Sequence, residues 1–232
     1  MRKSRSGLMC ALAAGGMLLA LPATAKDGEQ IRGWGRVIDP DDDCRVEAAD
    51  GKLTITVPQT RQDIWYGASE EKERFGAPRV MQTISGDFVI TVKVSADWTA
   101  GLGADKAGYN GAGLLIWDSP KQYLRLERNR YVNPKYSPRP LSFNAPLYDL
   151  NEHRTYFNAT FDDFFEGPSS YLRMIRRGQK IVTLTSPDGK TWISMGTLDT
   201  EFPDVVQVGV DVVSSTEVPL EVTFEELVIE KR

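Results

Sequence analysis

The sequence is poor in the side chains that build metal centres and histidine-based catalysts, with one histidine and two cysteines in 232 residues. Zinc sites of clustered Cys and His, disulfide frameworks and most histidine triads therefore lack their raw material. A basic surplus is missing too. Lys and Arg total 28 against 32 for Asp and Glu, a formal charge of −4, whereas a protein that follows nucleic-acid phosphates carries a positive excess. There is no G-x-S-x-G elbow, phosphate-binding glycine loop or dinucleotide fingerprint, so serine-hydrolase, NTPase and Rossmann chemistry have no support. Amphipathic helical periodicity over several turns is also absent, apart from the short charged stretch Ser69 to Phe75, which reads as one or two turns inside a loop.

What is present begins with a leader. Arg2, Lys3 and Arg5 precede the apolar run Leu8 to Leu21, and Ala23-Thr24-Ala25 supplies the A-x-A pattern of a signal-peptidase site. We read residues 1–25 as a signal peptide and residues 26–232 as one domain. Removing the leader takes three basic residues and no acidic ones, so the charge moves from −4 to −7. The expectation is an acidic exported protein, periplasmic or extracellular. No later stretch is apolar enough to span a membrane. Cys10 leaves with the leader, and the remaining Cys44 reads as a buried small hydrophobe.

From Lys52 onwards apolar residues recur at period two. Leu53, Ile55 and Val57 form one such run, and Phe88, Ile90, Val92 and Val94 another. The alternation returns in Tyr123 to Glu127, Thr155 to Phe161, Tyr171 to Ile175, Ile181 to Thr185, Val206 to Val212 and Leu220 to Ile229. These are half-buried strands, and the expected class is an all-β sandwich of two sheets. Pro134 to Pro146 reads as a long loop carrying basic and aromatic residues, among them Tyr131, Lys135, Tyr136, Arg139, Phe143 and Tyr148 at and around it. Ser186-Pro187-Asp188-Gly189 reads as a hairpin turn with Asp capping, Gly at positive φ and Trp192 packed beneath.

Several blocks are distinctive together: Gly33-Trp34-Gly35, the acidic stretch ending in Cys44, Ala77-Pro78-Arg79-Val80-Met81-Gln82, Gly86-Asp87-Phe88, Tyr109-Asn110-Gly111-Ala112-Gly113-Leu114-Leu115-Ile116-Trp117, Tyr123-Leu124-Arg125-Leu126-Glu127-Arg128, and Ser186 to Trp192. In their order and spacing they resemble the regulation-of-enolase family of the concanavalin A-like lectin/glucanase superfamily. That resemblance spans essentially the whole chain after the leader. It implies a jelly-roll sandwich of two curved antiparallel sheets, and it informs fold more than activity.

Strand parity places Gly113, Leu115 and Trp117 on one face, and Tyr123, Arg125 and Glu127 on one face of the next strand. With Tyr109, this set suits a saccharide. An aromatic ring stacks on the C–H side of a pyranose, while Arg and a carboxylate reach its hydroxyls. The competing reading is a solvent-facing row in which Arg125 and Glu127 pair across strands, contributing about 0.2–1 kcal/mol. The sequence therefore points first to a lectin-like protein recognising a saccharide or polysaccharide. A glycoside hydrolase with an unconventional carboxylate pair is second, since Glu127 is alone on its strand and Asp118 is the nearest acidic candidate. A protein-binding module is third.

Asp39, Asp41 and Asp43 occupy the first three ligand positions of a D-x-D-x-D loop, which invites structural calcium. The rest of that loop is missing, because Cys44 stands where the sharp-turn glycine belongs. A solvated acidic turn is the other reading.

Overall fold

The computed structural model describes residues 23–65, 74–103, 106–135, 137–150, 153–156, 159–160 and 167–232, with the side chains of 23, 137–145, 150, 153–156 and 159–160 left aside. In chain order its strands are β1 (Ala23–Ala25), β2 (Gln30–Ile31), β3 (Gly35–Ile38), β4 (Arg45–Ala49), β5 (Lys52–Val57), β6 (Arg79–Ser85), β7 (Phe88–Ala96) and β8 (Gly108–Ser119). There follow β9 (Gln122–Asn133), β10 (Ser137–Leu150), β11 (His153–Tyr156), β12 (Ala159–Thr160), β13 (Ser169–Arg177), β14 (Lys180–Ser186), β15 (Ile193–Asp199), β16 (Val205–Ser214) and β17 (Leu220–Lys231). No helix occurs among the described residues.

Two antiparallel sheets face each other. Sheet A runs β1-β4-β5-β17-β7-β13-β14-β15, and sheet B runs β11-β10-β9-β8-β16-β6-β3-β2, with β12 also on β10. The alternating runs explain the layering. Phe88, Ile90, Val92 and Val94 of β7 point into the space between the sheets, as do Ala112, Leu114 and Ile116 of β8, Leu124 and Leu126 of β9, and Val206, Val208, Val210 and Val212 of β16. Each such large side chain contributes about 1.5–3 kcal/mol when fully buried. β1, which pairs with β4 from Ala23↔Ala48 to Ala25↔Val46, is formed by residues at the expected end of the leader.

The region read as a long loop behaves differently, since residues 137–150 form β10, paired with β9 from Asn133 to Gln122. The register breaks between Ser137 and Leu141, where Pro138 and Pro140 cannot donate to the ladder. Proline lowered the strand signal, and pairing with β9 overrode it. Residues 69–73 of the short helical stretch expected over Ser69 to Phe75 lie outside the described residues, and Arg74 bridges to Trp65.

A second apolar layer covers the outer face of sheet B. Residues 58–65 and 74–78 form a strap tied down by a bridge from Gln62 to Ser214 of β16, by Trp65 paired with Arg74, and by the Ala77 amide donating to the Asp63 carbonyl. Ile64 and Ala77 pack there with Met81, Leu115, Tyr123 and Val213, flanked by Phe75 and Trp117. β8 and β16 are therefore covered on both faces, which explains the unbroken apolar run Leu114-Leu115-Ile116.

Candidate functional site

Beneath the strap, three strands of sheet B bring charges together. Register sets Glu127 of β9 beside Gly113 of β8, and Gly113 beside Asp211 of β16. A β-carbon at Gly113 would lie 2.0 Å from the Leu126 carbonyl oxygen and 2.8 Å from Leu172 Cδ1, so glycine is what lets β8 lie this close to β9. Gly111 makes room for the site itself, because a β-carbon there would lie 2.6 Å from Tyr109 Cε1 and 3.0 Å from Glu127 Oε2.

Glu127 and Asp211 are both 0% exposed and Arg125 is 5% exposed. Arg125 Nη1 lies 3.1 Å from Glu127 Oε1 and 4.0 Å from Asp211 Oδ2. The Tyr109 hydroxyl donates to Glu127 Oε2 at 2.5 Å. Burial pushes the Glu127 carboxyl up, although Arg125 and the Tyr109 hydrogen bond oppose it. Burial and the Glu127 charge push Asp211 well above the usual carboxylate range. Neither Asp211 oxygen accepts a hydrogen bond from a described N–H or O–H, and the charges of Arg125 and Arg79 are what oppose the rise. Burial works against the charge on Arg125, but Glu127 and Asp211 outweigh it and keep the guanidinium protonated.

The aromatic residues bracket this cluster. Trp117 stacks on Tyr123 at 5.4 Å and 20°, takes the edge of Phe75 at 5.9 Å, and lies 4.9 Å from the Arg79 guanidinium. Arg79 is itself held by the Phe75 and Ala77 carbonyls at 3.3 and 3.1 Å. The Tyr123 hydroxyl donates to Asp149. Toward the other end of the strands, Tyr109 and Tyr131 meet at 6.5 Å.

All five residues singled out for saccharide contact, Tyr109, Trp117, Tyr123, Arg125 and Glu127, thus share the outer face of sheet B. Their exposure differs from the solvent-facing row the alternation implied: Tyr123, Arg125 and Glu127 are buried, while Tyr109 and Trp117 are half-buried. The strap accounts for this, and strand parity carries no information about it. Arg125 and Glu127 pair along one strand, because residues two apart share a face. The acidic partner of Glu127 is Asp211, whereas Asp118 is exposed at the end of β8. Asp211 had a signal in the sequence: it is a lone carboxylate in Val208-Gly209-Val210-Asp211-Val212-Val213, where an isolated charge inside a buried strand calls for a partner.

The acidic loop converges only in part. Ligand atoms of Asp39, Asp43 and Cys44 lie within 4.8 Å of one another, and exposed Asp41 is outside that set, turned toward Gly76 and Gln62. Asp39 Oδ2 accepts from the Cys44 amide at 3.0 Å, and Asp43 Oδ1 accepts from Gln62 Nε2 at 2.9 Å. Cys44 is half-buried, and burial with the charges of Asp39 and Asp43 holds its thiol protonated. Two carboxylates and a thiol make a softer donor set than the oxygen shell calcium takes.

With this geometry in place, comparison with known proteins shows the class of fold. A functionally unknown protein from Saccharomyces cerevisiae superposes with a TM-score of 0.69 at 16% identity, covering 86% of this chain and 97% of that one. The glycoside hydrolase family 43 protein BlXynB from Bacillus licheniformis gives 0.55 at 12% identity, covering 81% and 36%. A xylan β-1,4-xylosidase from Bacillus halodurans C-125 gives 0.53 at 14%, covering 84% and 35%. The chain therefore spans about a third of the length of the latter two, and identities this low establish a shared sandwich fold alone. No family model and no curated protein matches the sequence.

Proposed function

We propose that the protein is an exported, lectin-like saccharide-binding protein that recognises its ligand on the outer face of sheet B without hydrolysing it. The observation that carries this reading is the set of buried polar atoms between Tyr109 and Trp117. Arg125 Nε, Glu127 Oε1, both amide atoms of Asn129 and both Asp211 oxygens make no well-aligned hydrogen bond among the described residues. Native proteins match the large majority of such atoms. Donors and acceptors interleaved in this way complement the hydroxyls of a sugar, and the half-buried aromatics at either end offer its C–H surface a partner. The network also positions those aromatics, Glu127 through the Tyr109 hydroxyl and Tyr123 through the Trp117 ring. Two of the superposed proteins are described as a family 43 glycoside hydrolase and a xylosidase, which supports a carbohydrate context. The distinctive motif blocks further support placing the chain with the regulation-of-enolase proteins.

Recognition is favoured over hydrolysis because one guanidinium nitrogen, Arg125 Nη1, stands against both carboxyls, 3.1 Å from Glu127 Oε1 and 4.0 Å from Asp211 Oδ2. Glycosidase pairs stand about 5–10 Å apart so that substrate or water fits between them. The test is retention on a panel of immobilised neutral polysaccharides. We expect wild-type protein to be retained on at least one polymer, with tenfold weaker retention for Tyr109→Phe and Trp117→Ala. Equal retention of both variants with wild type would remove sheet B from the function.

A further inference from the structure

The opposite face of the sandwich carries a groove of about 370 Å³ whose chemistry differs from that of the sheet B network. Its floor is the outer face of β17, β7 and β13, and its rim is the turn between β14 and β15. Across the middle lies Arg173. The guanidinium sits 3.9 Å from the Trp192 ring centroid, and its Nε donates to Thr91 Oγ1 at 2.8 Å. No carboxylate pairs with Arg173 among the described residues, although its neighbours Lys93 and Arg232 are both paired, with Glu225 at 3.0 Å and Glu230 at 2.7 Å. The two Nη groups of Arg173 are left as an unused fork.

The surroundings hold that fork rigidly. Asp188 Oδ1 accepts from the amides of Lys190 and Thr191, both at 2.8 Å, and Ser186 Oγ accepts from the Gly189 amide at 2.9 Å. The turn is thereby fixed, and with it Trp192. On the facing side a bulge between Glu225 and Val228 puts Glu226 at a φ of 56°, a conformation with a cost for a side chain of this size. The bulge turns the Glu226 carboxylate to the Tyr171 hydroxyl, which donates to it at 3.1 Å. It also leaves Val228 48% exposed in the groove. A stacked, half-buried guanidinium is a preorganised receptor for a planar oxyanion, which it grips with two parallel N–H donors. Beside it lie an apolar strip and a hydrogen-bonded carboxylate.

We propose that this groove is a second ligand site that takes a saccharide residue bearing a carboxylate, a uronic acid. The acid group sits on the Arg173 fork, the C–H face of the ring on Val228 and its half-buried neighbours Val89 and Ile175, and hydroxyls reach Glu226. The proposal rests on the saccharide reading above but uses none of the sheet B residues.

The experiment is isothermal titration of the purified protein with oligogalacturonate, with its fully methyl-esterified form, and with a neutral xylo-oligosaccharide. The expected result is at least tenfold tighter binding of the acid than of its ester. That preference should disappear in Arg173→Gln and fall about tenfold in Arg173→Lys, which keeps the charge but loses the fork and the stack. Tyr109→Phe should weaken retention on neutral polymer and leave the preference for the acid intact. Equal binding of acid and ester, survival of the preference in Arg173→Gln, or no binding of the acid by a protein that still retains neutral polymer would each overturn the groove. Preference for the acid without any retention on neutral polymer would instead uphold the groove and remove the sheet B site. Thermal unfolding of the Arg173 variants within a few degrees of wild type separates lost recognition from lost fold.

Discussion

The outer faces of the two sheets are made from the same kind of strand and have opposite fates. On sheet B, the strap of residues 58–65 and 74–78 closes over the surface, so Arg125, Glu127 and Asp211 are buried together with several of their polar atoms unmatched. On sheet A nothing described lies over β7 and β13 except the rim of one hairpin turn, and Arg173, Glu226 and Val228 face an open groove. Alternation in sequence marks which residues share a face, and only the covering segment decides whether that face is core or surface.

The comparison predicts large effects on sheet B and small ones on sheet A. Arg125→Met should be the most damaging single change, costing about 3–5 kcal/mol because it leaves buried carboxyls without their cation. Chemical denaturation measures it directly, and a loss below about 1 kcal/mol would mean that water already reaches the cluster. Gly111→Val comes next, at about 1–3 kcal/mol, because its side chain must displace the Tyr109 ring and the Glu127 carboxylate. Near-wild-type stability for this variant would show that the strap yields easily.

The two faces should also respond to pH with opposite signs. Glu127 and Asp211 have raised values in the fold, so their contribution is fully present below the ordinary carboxylate value and is lost as pH rises through the raised ones. The stability of Asp211→Asn relative to wild type should therefore improve between pH 4 and neutral. Asp188, in the sheet A turn, is held down to about 2 by the amides of Thr191 and Lys190. Its contribution is present above the ordinary value and is lost as pH falls toward 2, so Asp188→Asn should flatten the acid limb only. Urea midpoints across pH 2–8 test both signs, and parallel profiles for wild type and Asp211→Asn would contradict the raised Asp211 carboxyl. The smallest effect belongs to Trp192→Ala, which gives up a partly exposed cation–π contact contributing about 0.5–1 kcal/mol.

The sequence was informative wherever a property is local. Period-two runs located β5, β7, β13, β14, β16 and β17, and Ser186-Pro187-Asp188-Gly189 announced a turn whose glycine does adopt a φ of 72°. Parity alone placed Tyr123, Arg125 and Glu127 on one face of their strand, and the register with β8 sets that face beside Trp117. What stayed hidden depends on segments distant in the chain. Asp211 meets Glu127 only through the β9-β8-β16 order, and the burial of both depends on Ile64 and Ala77, whose short segment carries no alternation of its own. β10 was obscured by its prolines, which lower strand propensity but are accommodated at a break in register.

The most direct test of recognition without hydrolysis is to incubate wild-type protein with each polysaccharide of the panel and to score retention on the polymer and new reducing ends in the same tubes. The account predicts retention with no new ends at any pH between 4 and 8. New reducing ends that disappear in Glu127→Gln and in Asp211→Asn would contradict it and make the two buried carboxyls a catalytic pair.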